Sequence, residues 1–114
     1  MLPKRHRLLA EKDFQAAWKR GRSFYTKILG FKISRNDLTV SRFGIIVGNK
    51  ISKKSTDRNR LKRQLREILR AKIEKISPGY DLVVTALPAA PGKSYQTLER
   101  ELLTGLKYFK IVKT

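Results

Sequence analysis

The sequence predicts an α/β fold of three helices and three or four strands. Hydrophobic residues recur at helical spacing in three segments, and they alternate or run continuously in three others. The chain has 114 residues, of which 40% are hydrophobic. That size suits one compact core, so we expect a single domain over residues 1–114.

The first predicted helix covers Glu11–Arg20. Phe14, Ala17 and Trp18 fall on one of its faces, and Gly21 is predicted to end it in a left-handed conformation. Such an aromatic pair is commonly part of a core. Basic neighbours also make it suitable as a stacking platform for unpaired nucleotides, so both interpretations stay open.

The strands are predicted over residues 28–34, 40–49 and 80–87. The second is expected to return beside the first, and the third, which is apolar throughout, is expected to lie centrally in the sheet. A last helix is predicted over residues 95–109, with Ser94 as its N-terminal cap.

Residues 55–70 predict a helix with two chemically different faces, capped by Ser55 or Thr56. The hydrophobic face consists of Leu61, Leu65, Ile68 and Leu69. The polar face carries Asn59, Arg63, Arg66 and Arg70, flanked by Arg58 and Lys62. Solvated helix faces usually mix charge signs, whereas this one is almost uniformly positive. Because guanidinium groups match phosphate oxygens, the face indicates binding to nucleic acid.

The charge of the whole chain agrees with that interpretation. Twenty-seven Lys and Arg stand against nine Asp and Glu, which gives a formal net charge of +18. A polyanionic partner would relieve this self-repulsion. A membrane is a poorer candidate, because no apolar run approaches the roughly 20 residues of a spanning helix. With no cysteine and no signal peptide recognised, we expect a cytoplasmic protein.

No catalytic site on the protein is predicted. The carboxylates are scattered singly, and His6, the sole histidine, is expected in a mobile tip. Asp81 is expected to partner a turn or a helix cap. Residues 91–94 resemble the end of a phosphate-binding loop, but Leu87 stands where that motif needs its first glycine.

The run RNRLKRQLRE at residues 58–67 resembles the RNR signature of the bacterial ribonuclease P protein family. The likeness covers nearly the whole chain in order, at residues 13–14, 18, 21–23, 43–50 and 80–84. It implies a two-layer α/β (α+β) sandwich of three helices on a four-stranded mixed sheet, with a left-handed βαβ crossover. It also implies removal of the 5′ leader from precursor tRNA, with the catalytic groups and Mg2+ held by an RNA subunit and the substrate.

The resemblance further implies two sets of binding residues. Contacts with the RNA subunit are expected at Lys53, Lys54, Arg58, Asn59, Arg60, Lys62, Arg63, Arg66 and Arg70. The leader is expected in a cleft formed by Phe14, Trp18, Lys32, Gly48, Asn49 and Lys50. Many family members have basic residues at the positions of Asn49 and Leu87, so the cleft edge is expected to carry less charge here.

An alternative with the same charge and size is a non-catalytic RNA-binding module, such as a small ribosomal protein. The RNR run, together with the Phe14 and Trp18 helix, favours ribonuclease P. A helix-turn-helix DNA binder is disfavoured, because a predicted strand and not a helix precedes the arginine-rich helix.

Overall fold

The computed structural model describes residues 2–8, 11–48 and 50–112, and these form three α-helices and four β-strands. The helices are α1 (Glu11–Arg20), α2 (Ser55–Lys72) and α3 (Tyr95–Tyr108). The strands are β1 (Arg22–Tyr25), β2 (Leu29–Arg35), β3 (Arg42–Ile46) and β4 (Tyr80–Ala86). The α+β fold with a four-stranded mixed sheet is therefore confirmed, and β1 is a strand that the hydrophobic pattern did not locate.

The strand order in the sheet is β1-β2-β4-β3. β1 and β4 both pair antiparallel with β2, whereas β3 pairs parallel with β4. The predicted central position of β4 is confirmed, but the expected pairing of β2 with β3 is wrong because β4 lies between them. Leu82, Val83 and Val84 are buried in succession, and only a central strand covered on both faces can bury such a run. The β3–α2–β4 connection is a crossover between parallel neighbours, and its left hand stays a prediction.

Helices cover both faces of the sheet, so the fold has three layers and the expected two-layer arrangement is wrong. On one face, α2 and α3 bury their leucines against Phe31, Leu82 and Val84 in the main core. On the other face, α1 packs Ala17 against Val83, with Leu8 completing a smaller cluster. No helix in the described part of the chain is both long and apolar enough to cross a membrane.

The helix ends differ in part from the sequence predictions. Ser94 caps α3 as predicted, since its hydroxyl accepts a hydrogen bond from the Thr97 N–H at 3.1 Å. α2 begins after Lys54 with no side-chain cap, so the expected cap by Ser55 or Thr56 is wrong. Gly21 is not left-handed. Position 21 requires glycine because of crowding, since a Cβ would lie 2.3 Å from the Ala17 carbonyl oxygen.

The segment before α1 is held against β3. The Leu8 N–H donates to the Phe43 carbonyl at 2.8 Å, and Arg7 forms a parallel bridge with Phe43. His6 Nδ1 lies 2.9 Å from the Ser41 carbonyl oxygen. The expectation of a mobile tip around His6 is therefore wrong. This segment pairs with the outer side of β3, which would otherwise be an exposed sheet edge.

Replacing Gly105 with Ala should destabilise the protein, although alanine is the better helix former. An added Cβ would lie 2.5 Å from Cε1 and Cζ of Phe31, a ring that is fully buried between α3 and the sheet. We expect Gly105→Ala to lower the free energy of unfolding by about 1–3 kcal/mol, as overpacking does. Urea denaturation measures this. Thr104→Ala, at the neighbouring exposed position, should change it by under about 1 kcal/mol.

Candidate nucleic-acid interface

An ion-pair cluster fixes α1 above the sheet. Arg42 on β3 donates to both carboxylate oxygens of Asp81 on β4, from Nε at 2.9 Å and from Nη2 at 2.7 Å. Its Nη1 donates to Asp13 on α1 at 3.2 Å. Asn36, in the β2–β3 turn, donates to Asp81 Oδ1 at 2.8 Å. The expectation that Asp81 partners a turn is met by Asn36, but its main partner, Arg42, was not identified from the sequence.

The cluster stabilises the charged form of Arg42. The hydrogen bond to Asp81 raises the pKa of Arg42 further above its ordinary value, and partial burial offsets only some of that rise. The two parallel bonds to Asp81 also fix the orientation of the guanidinium plane. The contact with Asp13 then sets where α1 begins over β3.

The predicted aromatic pair divides between core and surface. The Phe14 ring lies on Gly44 of β3, where an added Cβ would clash with ring atoms Cε1 and Cζ. Phe14 is therefore half-buried, packed against the small cluster that contains Val83. Trp18, one helical turn later, is 48% exposed. The core interpretation fits Phe14, whereas Trp18 offers an open aromatic surface.

Lys32 on β2 holds the exposed tryptophan in position. Its Nζ donates to the Trp18 carbonyl oxygen at 2.7 Å and lies 4.8 Å from the centre of the indole ring. The ammonium group thus binds both the C-terminal end of α1 and the aromatic face. An aromatic ring beside a fixed cation is suited to an unpaired nucleotide, which supplies a base and a phosphate.

An open groove runs between α1 and β3 beside these residues. It has a volume of about 320 Å³, and Ile46 in its lining is 37% exposed. The groove is lined by Glu11, Phe14, Gln15, Trp18, Lys19 and Ile46. Among the other leader residues predicted from the sequence, Gly48 and Lys50 are exposed just past β3, and Asn49 lies outside the described residues.

The two-faced character of α2 is confirmed. Its hydrophobic residues Leu61, Leu65, Ile68 and Leu69 are buried. Among the predicted RNA-contacting residues, those that are exposed are Lys53, Lys54, Asn59, Arg60, Arg63 and Arg70, and those that are half-buried are Arg58, Lys62 and Arg66.

Two arginines of that face already have partners within the protein. Arg58 Nη1 donates to the Ser52 carbonyl at 2.8 Å, which ties α2 to the preceding loop. Arg70 pairs with Glu67 at 3.1 Å. Arg60 and Arg63 therefore present the most accessible guanidinium groups on α2.

The remaining candidate motifs have structural roles. Gly92 has a φ of +82° and forms a turn, and Ser94 caps α3, so residues 91–94 act as an ordinary connection. In residues 2–8, 11–48 and 50–112, no three acidic or histidine side chains lie close enough to hold a metal ion.

Sequence reasoning missed Arg42 and Ile46 as contributors to this surface. A signal for both was present, because positions 42, 44 and 46 alternate onto one face of β3. Gly44 on that face indicated close approach of another element, and the structure identifies that element as the Phe14 ring.

The fold and these two surfaces define a basic α+β RNA-binding protein. The Ribonuclease P family profile matches residues 2–110. The "Ribonuclease P protein component" of Synechocystis sp. is 41% identical over 102 residues, covering 89% of this chain and 82% of that protein.

Solved structures agree. The chain resembles the RNase P protein from Thermotoga maritima with a TM-score of 0.82 and 33% identity, covering 90% of this chain and 96% of that one. For the Staphylococcus aureus RNase P protein the TM-score is 0.87 and the identity 26%, with 95% and 98% coverage. The chain belongs to the ribonuclease P protein family, as its RNR run predicted, and its function is that of the protein subunit of this endoribonuclease.

Removing the carboxylate of Asp81 should destabilise the fold strongly. Asp81→Ala leaves Arg42 and Asn36 without their shared acceptor in a partly buried place, so we expect a loss of about 2–4 kcal/mol in unfolding free energy. Asp13→Ala is the matched control. Its side chain is more exposed and Arg42 keeps Asp81, so the loss should stay under about 1 kcal/mol. If urea denaturation showed equal losses of unfolding free energy for the two variants, Asp81 would not be the main partner of Arg42.

Proposed function

We propose that the protein binds the catalytic RNA subunit through the arginine face of α2 and the 5′ leader of precursor tRNA in the groove beside α1. The observation that carries this proposal is the separation of the two surfaces. α1 and α2 lie on opposite faces of the sheet, and the β3–α2 loop, with Lys50, Lys53 and Lys54, connects them along one edge. One protein can therefore contact two RNAs at once.

The α2 surface is suited to folded RNA. Arg60 and Arg63 are exposed on a rigid helix whose opposite side is anchored by Leu65 in the core. Guanidinium groups on a fixed scaffold bind phosphates of a defined backbone shape, which is the usual way that structured RNA is recognised. Tight contact with the RNA subunit is the role that this geometry supports.

The groove beside α1 is suited to single-stranded RNA. Trp18 offers an aromatic surface next to the Lys32 ammonium, and Ile46 adds apolar area. Bases of a folded tRNA body are paired and stacked on each other, whereas those of a 5′ leader are free to stack on a protein. The leader is thus the part of the substrate that matches the groove.

We further propose that Mg2+ and the reacting groups are held by the RNA subunit and the substrate, in the cytoplasm. Two acidic residues close to the groove, Asp13 and Asp81, support this assignment because both are ion-paired with Arg42. The shared guanidinium orients α1 and offsets part of their charge. The protein's contribution to the reaction is then substrate binding and orientation. Reconstitution of catalytic RNA, protein and precursor tRNA tests the whole assignment.

Arg63→Ala should weaken binding to the RNA subunit while leaving stability almost unchanged. Each lost phosphate contact should reduce the slope of log affinity against log salt by about 0.7–0.9. Lys107→Ala, which removes one exposed charge from the end of α3, is the control and should leave the slope unaltered. Filter binding over a salt series measures both.

Leu65→Ala should show the opposite pattern. Leu65 is fully buried beneath the arginine face, so its truncation should cost about 2–5 kcal/mol of stability. If Arg63→Ala and Leu65→Ala lowered thermal stability equally, the assignment of two faces to α2 would be wrong.

Trp18→Ala should weaken binding of precursor tRNA to the reconstituted holoenzyme by about 1–3 kcal/mol, with mature tRNA hardly affected. The reason is that only the precursor carries unpaired 5′ nucleotides. Because Trp18 is half exposed, its loss should cost less stability than the roughly 3–5 kcal/mol of a buried Trp. Trp18→Phe keeps a stacking ring and serves as the control. Equal weakening for precursor and mature tRNA would argue against the leader site.

A further inference from the structure

Tyr25 is an exposed aromatic residue that the proposed leader groove does not yet include. It ends β1 and is 60% exposed. Its ring lies on Gly30 of β2, where an added Cβ would be 3.0 Å from Cε1 and 3.1 Å from Cδ1. Glycine at position 30 therefore lets the tyrosine ring rest directly on the sheet.

The strand register places Tyr25 on the same face of the sheet as α1. Tyr25 pairs with Gly30, Gly30 with Thr85, and Thr85 with Ile46, so these four residues form one row across all four strands. Gly30 is two residues before Lys32, whose side chain contacts Trp18, and residues two apart on a strand share a face. Ile46 already lines the groove beside α1. The row thus extends from Ile46, in the lining of the groove, across the sheet to Tyr25, over about 14 Å at ordinary strand spacing.

Tyr25 is also held in a fixed position. The hydroxyl of Thr26, the next residue, accepts hydrogen bonds from the N–H groups of Ile28 at 3.3 Å and Leu29 at 3.1 Å. The Thr26 N–H donates to the Leu29 carbonyl at 2.9 Å. These bonds define the β1–β2 turn. An aromatic ring on a rigid turn loses little conformational entropy when a ligand stacks on it.

The charge around Tyr25 favours a nucleic acid over an apolar partner. Lys27 is exposed in the adjacent turn, and Lys32 is the next residue on this face of β2. The row itself contains no charged residue. Tyr25 is therefore an accessible aromatic ring with one lysine in the adjacent turn and another on the same face of the sheet, a setting that suits one unpaired nucleotide.

We infer that Tyr25 is a second stacking residue for the 5′ leader, at the end of the groove farthest from the RNA subunit. This inference rests on the proposed function. α2, the surface proposed for the RNA subunit, packs against β3, whereas Tyr25 lies on β1 at the opposite side of the sheet. A leader that enters at β3 meets Ile46 and Trp18 first. It reaches Tyr25 only when it is longer, so Tyr25 sets how much of the leader the protein can bind.

The test uses reconstituted holoenzyme and precursor tRNAs with leaders of graded length, together with mature tRNA. Tyr25→Ala should weaken binding of the longest leaders by about fivefold or more and leave the shortest leaders and mature tRNA unchanged. Tyr25→Phe, which keeps the ring, should bind every substrate within about twofold of the unmodified protein. Tyr108→Ala is the matched control. Tyr108 is 56% exposed but stacks on Phe24, on the other face of the sheet, so its loss should not alter the dependence on leader length.

The outcomes separate this inference from the proposed function. If Trp18→Ala weakens leader binding and Tyr25→Ala binds all leaders normally, the inference about Tyr25 is wrong and the leader site stands. If Tyr25→Ala weakens mature tRNA as much as the long leaders, Tyr25 acts elsewhere and the inference is also wrong. If the effects of Trp18→Ala and Tyr25→Ala on binding are both independent of leader length, the proposed leader site itself is wrong. A Tyr25 effect that begins at a longer leader than the Trp18 effect supports the inference.

Discussion

The ion pair between Arg42 and Asp81 is the interaction on which the arrangement of the two proposed RNA-binding surfaces depends. It joins β3 to β4 at the start of both strands, and the third bond of Arg42 reaches Asp13 on α1. Burying a carboxylate is unfavourable unless it is fully hydrogen-bonded, and Asp81 meets this condition through Arg42 and Asn36. The pair therefore orients the Arg42 guanidinium toward Asp13, which helps to position α1 over β3.

Gly44 also determines the position of α1. Gly44 lets Phe14 lie against β3, and this contact sets the height of α1 above the sheet. Trp18 is then directed away from the core, next to Lys32. The groove results from where α1 packs. The helix covers the part of the sheet around Val83 and leaves the row that contains Ile46 and Thr85 more exposed. The same strand, β3, leads into α2, so the position of the groove and that of the arginine face are linked through a short loop.

The sequence predicted the helices and the arginine face well because their signals are local. Helical spacing separates Leu65 from Arg63 without any knowledge of the rest of the fold, and the RNR run identified the family. Long-range features were harder. The parallel pairing of β3 with β4 depends on a crossover, and no local pattern distinguishes it from the simpler hairpin that was expected. Asp81 and Arg42 are far apart in the chain, so their ion pair had no sequence signature.

The candidate leader site likewise combines local features that the sequence predicted with long-range features that it did not. Phe14 and Trp18 were recognised as a pair, but their separation into one half-buried and one exposed ring depends on Gly44, a residue of another element. Tyr25 escaped notice because β1 is short and carries little hydrophobic alternation, with only Phe24 packed against the core. The features that the sequence did not predict depend on which element of the fold covers each row of the sheet.

The most direct test of this account is to locate each RNA around the protein in the assembled holoenzyme. The chain contains no cysteine, so one introduced thiol can carry a tethered iron chelate that cleaves nearby RNA through hydroxyl radicals. Gln15→Cys places the probe in the groove beside α1, and Thr56→Cys places it at the exposed start of α2. The account predicts cleavage of the 5′ leader from position 15 and of the RNA subunit from position 56. Cleavage of the RNA subunit alone from both positions would contradict it.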